Sequence, residues 1–189
     1  MALWQTRGTR REVPPIPVCL PRWPEAQAFR GWTDDECVTG VVRSDERLSD
    51  LLNRRETLVL EQPRVSRIGV AGWPLPTGDV MHIDPFEFDL VLGGPMPLDT
   101  DGTRRARRIH KVSFPVELRG PNLQVRGLLH LFPGQAPEFA AHRTSCLFLP
   151  LTRPVAYRNG AMVSDRRVDV ALVSRYAVQE IRQLDVLPN

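Results

Sequence analysis

Lysine is nearly missing from this chain: Lys111 is the single one, and the remaining cations among its 25 basic residues are arginine. Arginine carries a planar fork of donors suited to carboxylate, phosphate and aromatic partners. Codon bias in a GC-rich genome would give the same composition. The formal net charge is only +3, short of the clustered basic face that marks a nucleic-acid binder. Cysteine is scarce too. Cys19, Cys37 and Cys146 are odd in number and far apart, which excludes a closed disulfide framework and a CxxC metal site and points to a reducing cytoplasm. No stretch approaches the ~18 consecutive apolar residues of a membrane span. The first residues lack the apolar core of a signal peptide.

The histidines His82, His110, His130 and His142 form no HxH or HExxH pair. His142 and Cys146 are the only close Cys/His neighbours. Cys146 opens an apolar strand, though, and nothing marks an oxyanion site, so it reads as a buried structural cysteine. His130, in an apolar strand, reads as a tolerated core position. Asp99-Thr100-Asp101-Gly102 lacks the further oxygen ligands of a calcium loop. Gly93-Gly94-Pro95 is not followed by the Lys-Ser/Thr of a phosphate loop. The expectation is therefore no enzyme, no metal and no cofactor.

What is abundant is proline and alternation. Eighteen prolines argue against long helices. Residues 1–24 read as an extended arm biased to polyproline II, carrying Trp4 and Trp23. Residues 37–42 form a strand signal. Ser44 followed by acids, with Leu48, Leu51 and Leu52 at helical spacing and Asn53 as a stop, predicts a helix of two turns. Leu58-Val59-Leu60 reads as a strand, and the loop around Trp73 follows. Residues 79–92 alternate as further strand, with Phe86, Phe88, Leu90 and Leu92 on one face. Residues 94–108 are a Gly/Pro/Arg linker. Residues 112–118 and 123–131, around Arg119-Gly120-Pro121-Asn122, are a hairpin. A short helix is expected near residues 136–141, then strands at 146–149, 168–173 and 176–181.

The two halves can be laid over each other at an offset of about 87 to 90 residues. Val38-Thr39-Gly40-Val41-Val42 falls on Val125-Arg126-Gly127-Leu128-Leu129. Leu58-Val59-Leu60 falls on Leu147-Phe148-Leu149. Asp79-Val80 falls on Asp169-Val170, and Phe86 and Phe88 fall on Tyr176 and Val178. The expected class is mainly β: two small SH3/Sm-like bent β-barrel units in tandem, each with one short helix, plus the Pro/Trp-rich arm. Their boundaries are 25–93 and 109–189. The run from Val116 to Leu129 resembles the opening strands of Sm-like barrels, and Val170 to Ile181 their closing strands. Arg47-Leu48-Ser49-Asp50-Leu51-Leu52-Asn53 and Phe148-Leu149-Pro150-Leu151-Thr152 resemble an uncharacterised bacterial β-rich domain family, present as a tandem pair. That resemblance implies no activity, and Sm-type RNA-binding residues are not recognisable.

The expected function is a non-enzymatic scaffold or adaptor that binds other proteins or itself. The candidate partner-binding residues are Trp4, Trp23, Trp32 and Trp73 with Arg104, Arg105, Arg107 and Arg108. The alternative is a nucleic-acid or nucleotide binder using that arginine cluster. The Arg104/Arg108 spacing resembles the arginine pair of PilZ domains, but the accompanying D/N-x-S-x-x-G element is missing.

Overall fold

The computed structural model describes residues 26–68, 74–94, 111–142, 146–165 and 167–186. The expected arm, its Trp4 and Trp23, Trp73 and the Arg104, Arg105, Arg107 and Arg108 cluster lie outside them. The described chain is mainly β. Its strands are β1 (Ala26–Trp32), β2 (Glu36–Arg43), β3 (Leu58–Arg67), β4 (Leu75–Pro76), β5 (Val80–Ile83) and β6 (Leu90–Gly93) in the first half. The second half has β7 (Val112–Arg119), β8 (Leu123–Leu131), β9 (Phe148–Arg158), β10 (Ala161–Met162), β11 (Val170–Ser174) and β12 (Glu180–Gln183). All join one antiparallel sheet in the order β12-β7-β8-β9-β11-β6-β1-β2-β3-β4, with β5 also on β3 and β10 also on β9. The sheet is not closed. Where two small bent barrel units in tandem are expected, β6 of the first half pairs with β11 of the second and makes the ladder continuous.

Pairings recur between the halves. Phe29↔Gly40 and Gly31↔Val38 have their counterparts in Val116↔Gly127 and Leu118↔Val125. Leu58↔Ile83 and Leu60↔Met81 correspond to Leu149↔Val173 and Leu151↔Ala171. Gly31↔Val91 corresponds to Leu118↔Ile181. A register shift falls at Gly40 against β3 and at Gly127 against β9. A Cβ at Gly40 would lie 2.6 Å from Leu60 Cγ, and one at Gly127 would lie 3.0 Å from Leu151 Cβ. The chain opposite each bulge turns left-handed, at Gln62 (φ 50°) and Arg153 (φ 52°), and each is followed by proline. Only the absence of a side chain lets the bulged strand approach so closely.

These registers correct the sequence alignment in one place. Leu58 and Leu60 correspond to Leu149 and Leu151, not to Leu147 and Leu149. A two-residue slip keeps every side chain on its face, so hydrophobic alternation cannot detect it.

Two further expectations are corrected. The strand expected across residues 79–92 is broken by a 3-10 turn, Pro85–Glu87. Asp84 accepts the Phe86 N–H at 2.9 Å, and Pro85 sits where a missing N–H costs nothing. Phe86 is therefore half-exposed while Phe88 is buried edge-on against Phe29. Likewise Tyr176 and Ala177 lie in a turn, and β12 begins only at Glu180.

Helix α1 spans Leu48–Asn53, with Arg47 rather than Ser44 at its N-cap. Asn53 ends it and also ties it to the second half. Its Nδ2 donates to Ser49 O at 2.8 Å and Phe148 O at 3.3 Å, while Phe148 N donates to its Oδ1 at 2.8 Å. Asn53→Ala strands a backbone donor and acceptor of a buried residue, so an expected loss of about 2 kcal/mol should appear in urea denaturation; Asn53→Asp, which keeps only the acceptor, should lose less. The helical stretch expected near 136–141 is a 3-10 segment, Pro137–His142.

Two cores sit on the sheet, and each borrows from the other half. One holds Val116, Leu118, Val125, Leu129, Leu149, Leu151, Ala171 and Val173, completed by Trp32, Leu90 and Leu92 from the first half. The other holds Phe29, Val38, Leu48, Leu52, Leu60, Ile83 and Phe88, completed by Leu147, Phe148 and Leu172 from the second. Strand β6 alternates Leu90 and Leu92 into one core and Val91 into the other, and β11 does the same with Ala171, Val173 and Leu172.

Candidate functional site

Among the described residues, β4 and β5 pair only with β3 and β12 only with β7, so the sheet ends in two unpaired edges, and the two-residue β10 pairs only with β9. At β5, Gln62 N donates to Asp79 O, which makes Leu60↔Met81 a hydrogen-bonded pair and turns the N–H groups of Val80 and His82 outward. At β12, Leu184 N donates to Pro115 O, which turns the N–H groups of Ile181 and Gln183 outward. Such edges are templates for another strand.

The two ends differ in chemistry. Around β5, Val80 and Val59 are about half-exposed, and Asp79, Asp84 and Glu87 are exposed. Beside β12 lies a charged cluster on the outer face. Glu117 is 1% exposed. Arg119 Nε donates to its Oε2 at 2.6 Å and Arg126 Nε to its Oε1 at 2.7 Å, and Gln124 donates to Oε1 as well. Burial alone would push this carboxyl up, but the bonds from Arg126, Gln124 and Arg119 outweigh it and hold Glu117 below the usual glutamate range. Arg182 stands across the β12–β7 ladder from Glu117. Tight charge-assisted bonds to a buried carboxylate orient the two guanidinium groups, which stay partly open to solvent.

A second polar row crosses β7, β8 and β9. Ser113 Oγ lies 2.9 Å from His130 Nδ1, and His130 Nε2 lies 2.7 Å from Thr152 Oγ1. Burial and then the Lys111 charge hold the imidazole below its usual range, so it is neutral at pH 7. The group behind it is a hydroxyl, which does not stabilise an imidazolium as a triad carboxylate does. Burial, opposed by Arg30, Ser66 and Arg158, pushes the Cys37 thiol up to about 11, which disfavours the reactive thiolate. Arg158 is buried and binds across the halves, donating to Thr33 O and to Asp89 Oδ2, the latter at 3.1 Å. Among the described residues, no group of three or more His, Cys, Asp or Glu is placed to hold a metal ion, and no helix is long and apolar enough to cross a membrane.

Of the candidate partner-binding residues only Trp32 is described. It is 6% exposed and packs with Leu90, Leu92 and Val173 inside a core. The Glu117 cluster escaped the sequence reading. Its one signal is a glutamate between Val116 and Leu118 in a strand, with arginines at positions 119 and 126 that the hairpin brings to the same face. Comparison with protein-family models, curated proteins and solved structures finds no match to this chain.

Proposed function

We propose that the chain is a non-enzymatic scaffold, built from two diverged copies of one SH3/Sm-like unit, that holds proteins through the edges of its sheet. The observation that carries this reading is the β6–β11 junction. There one strand edge docks on another, and each side supplies apolar residues to the core of its neighbour. Among the described residues, two edges of the same kinds remain unpaired at the ends. The recurrence of pairings, of the bulges at Gly40 and Gly127 and of the left-handed Gln62-Pro63 and Arg153-Pro154 supports duplication.

Light scattering and quantitative co-purification of the tagged full-length chain test the proposal, with residues 25–189 as a comparison for the arm. A stoichiometric partner, either another protein or a second copy, is the expected result. A strict monomer that recovers no partner in either form overturns it.

A further inference from the structure

We infer that the partner at the free edges is a second copy of this chain, added head to tail, with β12 of one molecule pairing antiparallel with β5 of the next. This rests on the scaffold reading and names its partner.

The internal junction supplies the register. Leu172 pairs with Val91, Ala171 with Leu92 and Val173 with Leu90. By the correspondence of ladders, Leu172 matches His82 and Val91 matches Ile181. The same operation therefore sets His82 opposite Ile181 of the neighbour, Met81 opposite Arg182 and Ile83 opposite Glu180. His82 and Ile181 both direct their N–H groups outward at these edges, as the ladder requires.

Two apolar side chains beside the internal junction, the partly buried Val170 and the buried Leu51, have apolar counterparts exposed at the two ends. Val170 packs within 2.9 Å of the position a Gly93 Cβ would take, and its counterpart Val80 is 50% exposed. Leu51 of α1 is buried, while Phe139 in the segment packed beside β12 is 63% exposed. Charge favours one pairing. β12 carries Arg182 together with Glu180, with Arg119 across the ladder on β7, while Asp79, Asp84 and Glu87 flank β5. On antiparallel strands in this register, Asp79 falls diagonal to Arg182 on the same face.

One difference sets the strength. Where the internal junction uses Leu90 and Leu92, β12 presents Glu180 and Arg182. The intermolecular contact is thus more polar than the internal one, reversible and screened by salt. A contact between unlike edges is heterologous, so it grows into a ring or an open row rather than stopping at a symmetric dimer.

Sedimentation velocity of the full-length chain tests this. The wild type should exceed the 21.4 kDa monomer increasingly with concentration, and return toward it between about 0.05 and about 0.5 M salt. His82→Pro removes an outward donor of β5 and Gln183→Pro one of β12, each without touching the bonds to β3 or β7. Each variant alone should be monomeric, and an equimolar mixture should give a dimer and nothing larger. Val80→Lys, which keeps all backbone donors, gives the same arrest should a proline variant unfold. A wild-type monomer at every concentration, oligomers that survive either block, or a mixture that fails to dimerise overturns the inference. A monomer that still co-purifies with a stoichiometric different protein overturns only the second copy, whereas a monomer with no partner removes the scaffold reading too.

Discussion

Leu172→Ala should be the most damaging single truncation at the junction, costing about 2–5 kcal/mol, and it should unfold both halves together. Leu172 is fully buried, yet it does not serve the core of its own half. Its strand neighbours Ala171 and Val173 face one core while Leu172 enters the other, among Phe29, Leu48 and Leu60. The outer face of β11 is therefore the inner wall of the first half. Removing three carbons there opens a cavity at a place where two elements from distant sequence meet, and neither can collapse without disturbing the β6–β11 ladder. The transition should stay single in urea, with an unchanged slope and a lower midpoint. Two separated transitions, or a loss below about 1 kcal/mol, would show that the halves are energetically independent. Leu172→Asp goes further, because it buries a charge without a partner.

The same strands explain what was legible in the sequence. Short local patterns carried most of the β assignments: alternation in β8, the turn at Gly120-Pro121, the paired strand glycines Gly40 and Gly127. The continuous apolar runs Leu90-Val91-Leu92 and Ala171-Leu172-Val173 carried more than alternation could extract. A strand apolar on both faces is a strand buried on both faces, and these two meet. What the pattern withholds is which strand lies opposite, since an edge pairing between residues about eighty apart leaves no local mark. The two-residue slip at β3 and β9 stayed invisible for a related reason: both registers put leucines inside. Trp32 counts among the candidate contact residues in the sequence, but it is 6% exposed. The fold packs it internally, with Leu90 and Val173, across the junction.

Glu117 is the second position where one substitution should be felt strongly, and it carries a pH signature. Its counterpart in the first half is Arg30, paired to Thr39 where Glu117 pairs to Arg126. Arg30 stays partly open to solvent beside Asp165; the second half places at this position a buried carboxylate holding Arg119 and Arg126. Glu117→Ala removes the acceptor of three donors and leaves two arginines facing each other. A fully buried pair broken this way costs about 3–5 kcal/mol. Because both arginines are at least a third exposed, water offsets part of it, and about 2 kcal/mol is expected. Glu117→Gln should cost less at neutral pH, keeping the shape and one acceptor. The sign with pH follows from the carboxyl being held below its usual range. Its contribution is fully present above the unfolded value near about 4.3 and is lost as pH falls through the folded value. The gap in urea midpoint between wild type and Glu117→Gln should thus be constant from about pH 7 to about pH 5 and close below that. A gap that persists unchanged into acid would mean that packing rather than charge gives Glu117 its weight. In that case the arginines beside β12 would not be held in place by the buried carboxylate, and the basic side of the proposed head-to-tail contact would lose its preorganisation.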